Sequence, residues 1–247
     1  MLHVRPRRAA LAALAASSLL LLSACDGDTA PAGAGTKARS TPSAPPEAIT
    51  AAQAQQALVT VEDLPAGWQL QPDTGLDKSQ GAQEEIISGV KPVCAPITAV
   101  LNTGRLEEDR KADAQEVFTK KGDTTAVVQD VSGYSRAQAE KAVAALRTAV
   151  EQCGTFTGTM GGKKAVLTVK KAAGLPAYGD ESLGYTVRIV QGGTTQMDFD
   201  LDTIRSHGAV TTLWNNYSDT GDRGTTAFRK ALARAGAKLV AAAAGTP

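Results

Sequence analysis

Ala139, Val143, Leu146 and Val150 recur at three- to four-residue intervals, the period that keeps one face of a helix against a core. Ser135, with Gln138 three residues on, forms a capping box at the start of this pattern, and Gly154 stands where a glycine ends a helix. A second long helical pattern runs over 225–243. It places Phe228, Leu232, Ala235, Leu239 and Val240 on one side and Arg229, Lys230, Arg234 and Lys238 elsewhere. Two shorter helices are predicted, over 50–59 behind Thr50 as N-cap and over 92–101, opened by Pro92 and stopped by Gly104. Strand-like runs fall at 115–120, 125–132, 165–170, 183–191, 195–203 and 210–216. Turn signals separate them: Gly122-Asp123, Gly192-Gly193 and His207-Gly208. Consecutive hairpins with segregated helices predict a single α+β domain, an antiparallel sheet flanked by helices.

The N-terminal pattern is different. Arg5, Arg7 and Arg8 precede an apolar run from about Ala9 to Leu22, which closes on Leu22-Ser23-Ala24-Cys25. Basic start, apolar stretch and small residues before a cysteine are the parts of a lipoprotein signal peptide, with a lipobox at its end. The run is shorter than the ~20 apolar residues a spanning helix needs. The expectation is export, cleavage of residues 1–24, and a membrane anchor made by lipid (diacylglyceryl and palmitate) on Cys25. Arg7-Arg8 leaves both the general and the twin-arginine export routes open. Residues 25–46 hold the lipidated cysteine and a Gly/Ala/Pro/Ser/Thr stretch without large apolar side chains, read as a disordered tether. Residues 47–247 are read as the folded domain.

Composition narrows the function. Removing residues 1–24 takes away three arginines and no acid, leaving 23 basic against 25 acidic residues and a formal charge of −2. That balance argues for no nucleic-acid partner. Cys94 and Cys153 remain after Cys25, in a compartment where thiols oxidise, so they are expected to pair as one disulfide. Closing a loop of about 60 residues is worth ~4 kcal/mol on the chain-entropy view.

The candidate chemistry is sparse. Once His3 is cleaved, His207 is the remaining histidine, and no Gly-x-Ser-x-Gly elbow presents a nucleophile. Ser182 is the nearest candidate, with a turn in which Asp180 and Ser182 bond nearby backbone as the plainer reading. Asp198, Asp200 and Asp202 alternate with Met197, Phe199 and Leu201, so the three carboxylates share one strand face. They form a weak calcium candidate, set against a solvated face paired with a neighbour such as Arg188. Trp68, Tyr185, Trp214 and Tyr217 are candidates for lining a ligand cleft. No catalytic residue, resident metal or cofactor is expected.

A lipobox, a tether, a helix leading into Asp63-Leu64-Pro65-Ala66-Gly67-Trp68, Cys94 before a sheet, Cys153-Gly154-Thr155-Phe156 closing a capped helix, and Gly179-Asp180-Glu181-Ser182 leading into a strand occur in that order. Over roughly residues 50–242 this order resembles the actinobacterial lipoproteins related to the extracellular sensor domain of mycobacterial receptor serine/threonine kinases, the PknH-type sensor domain. The resemblance implies an antiparallel sheet flanked by helices and a cleft for an unidentified ligand. It implies two disulfides in the sensor domain of the kinase, where this chain can form one. With neither a kinase domain nor a spanning helix in the sequence, signalling across the membrane in the kinase's manner is not expected. The expected function is therefore a lipid-anchored, extracytoplasmic, sensor-like binding domain without catalysis, its partner a small ligand or an envelope protein. A cell-envelope hydrolase or transferase with an atypical site, and a structural assembly protein, stay open as alternatives.

Overall fold

A computed structural model describes residues 48–71, 86–106, 109–122, 125–217 and 225–245. The leader, Cys25 and the tether lie outside the described residues. Among those described, eight strands form one sheet: β1 Trp68–Leu70, β2 Ala112–Lys120, β3 Ala126–Gly133, β4 Thr155–Met160, β5 Lys163–Lys171, β6 Glu181–Gln191, β7 Thr194–Ser206 and β8 Ala209–Tyr217. Every pairing is antiparallel, and the order across the sheet is β1-β2-β3-β8-β7-β6-β5-β4. The helices are α1 Ala51–Gln56, α2 Ala95–Thr103, α3 Arg136–Gln152 and α4 Thr225–Ala243. The predicted α+β architecture is the observed one.

Each pair of helices covers a different part of the sheet, on opposite faces. On the front face, α1 and α4 bury Phe118, Val127, Val131, Ile204 and Leu213 together with Phe228, Leu232 and Leu239. On the back face, α2 and α3 pack Ile97, Val100, Leu146 and Val150 onto Leu167, Tyr185, Val187, Ile189 and Leu201. The period-two alternation of β5, β6 and β7 sends these apolar residues to the back. Their intervening residues therefore face front, where no described helix packs over β5 and β6. Cys94 and Cys153 form the expected disulfide, 5.8 Å between Cα atoms, both buried, joining the start of α2 to the end of α3.

Local signals explain most boundaries, and tertiary contacts explain the exceptions. Thr50 and Gln53 form a capping box on α1, but the helix stops at Gln56 rather than near 59. The buried side chain of Gln129 on β3 is responsible. Its Oε1 accepts from the Val59 N–H at 2.7 Å, and its Nε2 donates to the Ala57 carbonyl at 3.1 Å and to Thr211 Oγ1 at 3.1 Å. The chain is thereby drawn onto the sheet. Ser135 and Gln138 cap α3 as predicted, but Cys153, with φ −109°, is the C-cap, and Gly154 does not take a left-handed conformation. The disulfide and the immediate start of β4 set that exit. Val240, expected on the apolar side of α4, is exposed, because it lies past the edge of the buried stripe that Gly236 and Ala243 mark. Gly192 and Gly193 both have positive φ, +61° and +83°, as the tight turn between β6 and β7 requires.

Candidate functional site

The front face of β5–β7 carries a polar depression of about 400 Å³, lined by Thr168, Lys170, Thr186, Arg188, Asp198 and Asp200. Register lays these residues out in rows. Thr168, Arg188 and Asp198 face one another across three strands, and Lys170, Thr186 and Asp200 form the next row. Arg188 grips Asp198 with two parallel bonds, Nε to Oδ1 at 2.8 Å and Nη2 to Oδ2 at 3.0 Å. This fork-on-carboxylate geometry makes a neutral, oriented pair. Asp198 is buried beneath it while half of the Arg188 side chain remains exposed.

One row further along β7, Asp202 faces Gly184. Its side chain is buried, and Oδ1 has no hydrogen-bond partner among the described residues. A Cβ on Gly184 would come within 3.0 Å of Asp202 Oδ2 and would clash with Leu175, so the carboxyl leans over the glycine under the 172–178 segment. Burial pushes Asp202 up to about 7. The ordinary reason is that the charged form loses its hydration and gains no compensating donor.

The three carboxylates of β7 thus share a face, as expected, but not a fate. Asp198 is held by Arg188, Asp200 is half-buried at the depression, and Asp202 lies in a notch beyond it. They do not converge into an oxygen cage, and among the described residues no group of three or more His, Cys, Asp or Glu could hold a metal ion. Nor is this the solvated strand face of the plainer reading, since two of the three acids are buried.

The candidate cleft aromatics are not brought to one place. Trp68 is buried in the front core beside α1, whereas Tyr185 is buried in the back core and Trp214 packs against that same back core. The two faces of one sheet separate them. The Tyr185 hydroxyl is buried without a hydrogen-bond partner among the described residues, and burial followed by the charge of Asp202 pushes the phenol up. Tyr217 ends β8 opposite Asp198; its side chain lies outside the described residues.

His207 sits in the β7–β8 turn with φ +55°, the one positive φ at a non-glycine among the described residues. Its N–H donates to Asp180 Oδ2 at 2.7 Å, and Arg205 Nη1 donates to the same oxygen at 3.1 Å. The bond from the His207 N–H comes first among the causes that hold Asp180 below the usual carboxylate range. Arg205 also faces Glu181, which pairs with Arg147 of α3. The Gly179-Asp180-Glu181-Ser182 segment is therefore a charged clasp between β6, β7 and α3, a role that Arg147 and Arg205 complete and that sequence spacing alone does not reveal. Ser182 Oγ meets only weak local contacts, the Tyr178 N–H at 3.4 Å and the Pro176 carbonyl at 3.5 Å. The Ser206 hydroxyl lies 3.4 Å from His207 Nδ1, and Asp180 lies 3.9 Å from the same nitrogen. A proton relay of the serine-hydrolase kind needs the serine and the acid at opposite ring nitrogens. Here both share one.

These features define an α+β domain with an antiparallel sheet, one disulfide and a polar depression on a half-covered face. Among the described residues no helix is long and apolar enough to cross a membrane. No family model and no curated protein matches the chain. Among solved structures, the chain is similar to the extracellular domain of PknH from Mycobacterium tuberculosis, at 15% identity and a TM-score of 0.47, over 79% of this chain and 96% of that one.

Proposed function

We propose that the protein is a non-catalytic, extracytoplasmic binding domain, held at the outer face of the cell membrane by lipid on Cys25, with a tether over 25–46 and a leader over 1–24. The observation that carries the binding role is the front face of β5–β7. It holds a depression of about 400 Å³ at the lower end of small-ligand sites, with charged and hydroxyl groups arranged in register. The anchor rests on the lipobox, and the disulfide fits an oxidising compartment. The shared nitrogen at His207 supports the absence of hydrolase chemistry.

Two measurements test this reading. Mass spectrometry of the membrane-associated protein should find Cys25 as a lipidated N-terminus, and an unmodified thiol there removes the anchor. An amide-shift screen with envelope lipids, glycans and peptides should perturb β5–β7. Silence throughout, or binding left unchanged by Lys170→Glu together with Thr186→Val, overturns the binding role.

A further inference from the structure

The distribution of charge in the depression points to the kind of ligand, and this step rests on the binding role proposed above. We propose that the depression takes a short zwitterion, its acid group against Lys170 and its ammonium toward Asp200. Cationic side chains stand on β5 and β6, and carboxylates stand on β7. Successive strands lie ~4.8 Å apart, so β5 and β7 are separated by roughly 10 Å, with the Thr186 hydroxyl between. Arg188 and Asp198 neutralise one another in their own row. The next row keeps its unlike charges at opposite ends, Lys170 exposed at one and Asp200 at the other. Asp200 is half-buried and already has an interaction of its own, and Asp202, one row beyond, is buried and does not line the depression.

A simple cation entering this row meets Lys170, and a simple anion meets Asp200. A molecule carrying both signs satisfies both ends. Bonds to charged partners in a partly desolvated site are the stronger kind. The same chemistry occurs in a free dipeptide and in an aminoethyl phosphate headgroup, which sets the arms of the test.

The whole chain, carrying Cys25→Ser to keep it lipid-free, is titrated separately with alanylalanine, its N-acetyl form, its C-terminal amide and phosphoethanolamine while amide shifts are recorded. Saturable shifts in β5–β7 with at least one of the two zwitterions are expected, and the capped dipeptides should bind at least tenfold more weakly than alanylalanine wherever the latter binds. A preference for alanylalanine indicates a peptide source, and a preference for phosphoethanolamine a headgroup source. Lys170→Ala and Asp200→Asn should each weaken zwitterion binding about tenfold, with the remaining amide spectrum unchanged. Capped forms that bind as well as their parent, or two zwitterions that leave these amides unmoved, overturn the proposal. If the zwitterions fail while another envelope compound shifts the same amides, the binding role stands and only the ligand class falls. If no compound shifts them, both fall.

Discussion

Two buried carboxylates on the same sheet show how differently a fold treats one side chain. Asp130, on the back face of β3, receives Arg105 Nε at 3.2 Å and Ser132 Oγ at 2.8 Å. Arg105 also reaches Asp113 at 3.3 Å, so the acid belongs to a chain of partners. Asp202, on the front face of β7, has none of these. Desolvation nevertheless dominates at both sites: Asp130 is pushed up to about 6 and Asp202 to about 7. Partners reduce the penalty of burial without abolishing it. The lesson is that Asp130 is a structural acid held in a network, whereas Asp202 is an acid that the fold leaves unanswered.

The largest effect should come from breaking the answered site. Arg105→Ala strips Asp130 of its cation and leaves a buried carboxylate uncompensated, which should destabilise the domain by about 3–5 kcal/mol in urea unfolding near neutral pH. A loss below about 1 kcal/mol would mean that the two acids are equivalent.

Next comes the pH dependence. Both acids bind their protons more tightly folded than unfolded, so stability should fall as pH rises from about 4, the ordinary carboxylate value, through about 7, where Asp202 is half ionised, and level off above it. Asp202→Asn removes the upper part of that decline. The variant should exceed the wild type by up to about 4 kcal/mol at pH 8, by progressively less as pH falls, and its own decline should level off above about 6, where Asp130 is half ionised. Parallel stability curves for the two proteins would contradict this.

A smaller effect is expected from Gly184→Ala, whose methyl must displace Leu175 and press on the Asp202 carboxyl. Overpacking of this kind costs about 1–3 kcal/mol, and it should appear in thermal unfolding together with amide shifts along 172–178. The smallest is Ser132→Ala, which removes one bond to Asp130. It should cost about 1–2 kcal/mol and move the ionisation of Asp130 further up, as read by carboxyl NMR.

The sequence carried the backbone more legibly than the site. Periodicity placed α3 and α4, and alternation placed β5 to β8, because burial of one face imposes a pattern that single residues report. β4 gives no alternation because only Phe156 and, at its end, Met160 are large and apolar among three threonines and a glycine, and three-residue β1 is too short for alternation to register. The Asp198, Asp200 and Asp202 face and its Arg188 partner were readable from strand spacing. The burial of Asp198 and Asp202 was not, since it depends on what crosses above them. The aromatic candidates were chosen by residue type, which says nothing about side: Trp68 and Tyr185 fell on opposite faces, and Trp214 followed Tyr185. Cys94 and Cys153 were the exception, where arithmetic and compartment sufficed to name the pair.

Gln129 shows what a neutral group achieves between two titrating ones. An amide accepts at one end and donates at the other at every pH, whereas a carboxyl group does both only while it is protonated. Its bonds to Val59, Ala57 and Thr211 gain and lose no proton. The way in to the domain at α1 is therefore fastened by an acidity-blind clip, and it holds the same grip over the interval in which Asp130 and Asp202 change charge.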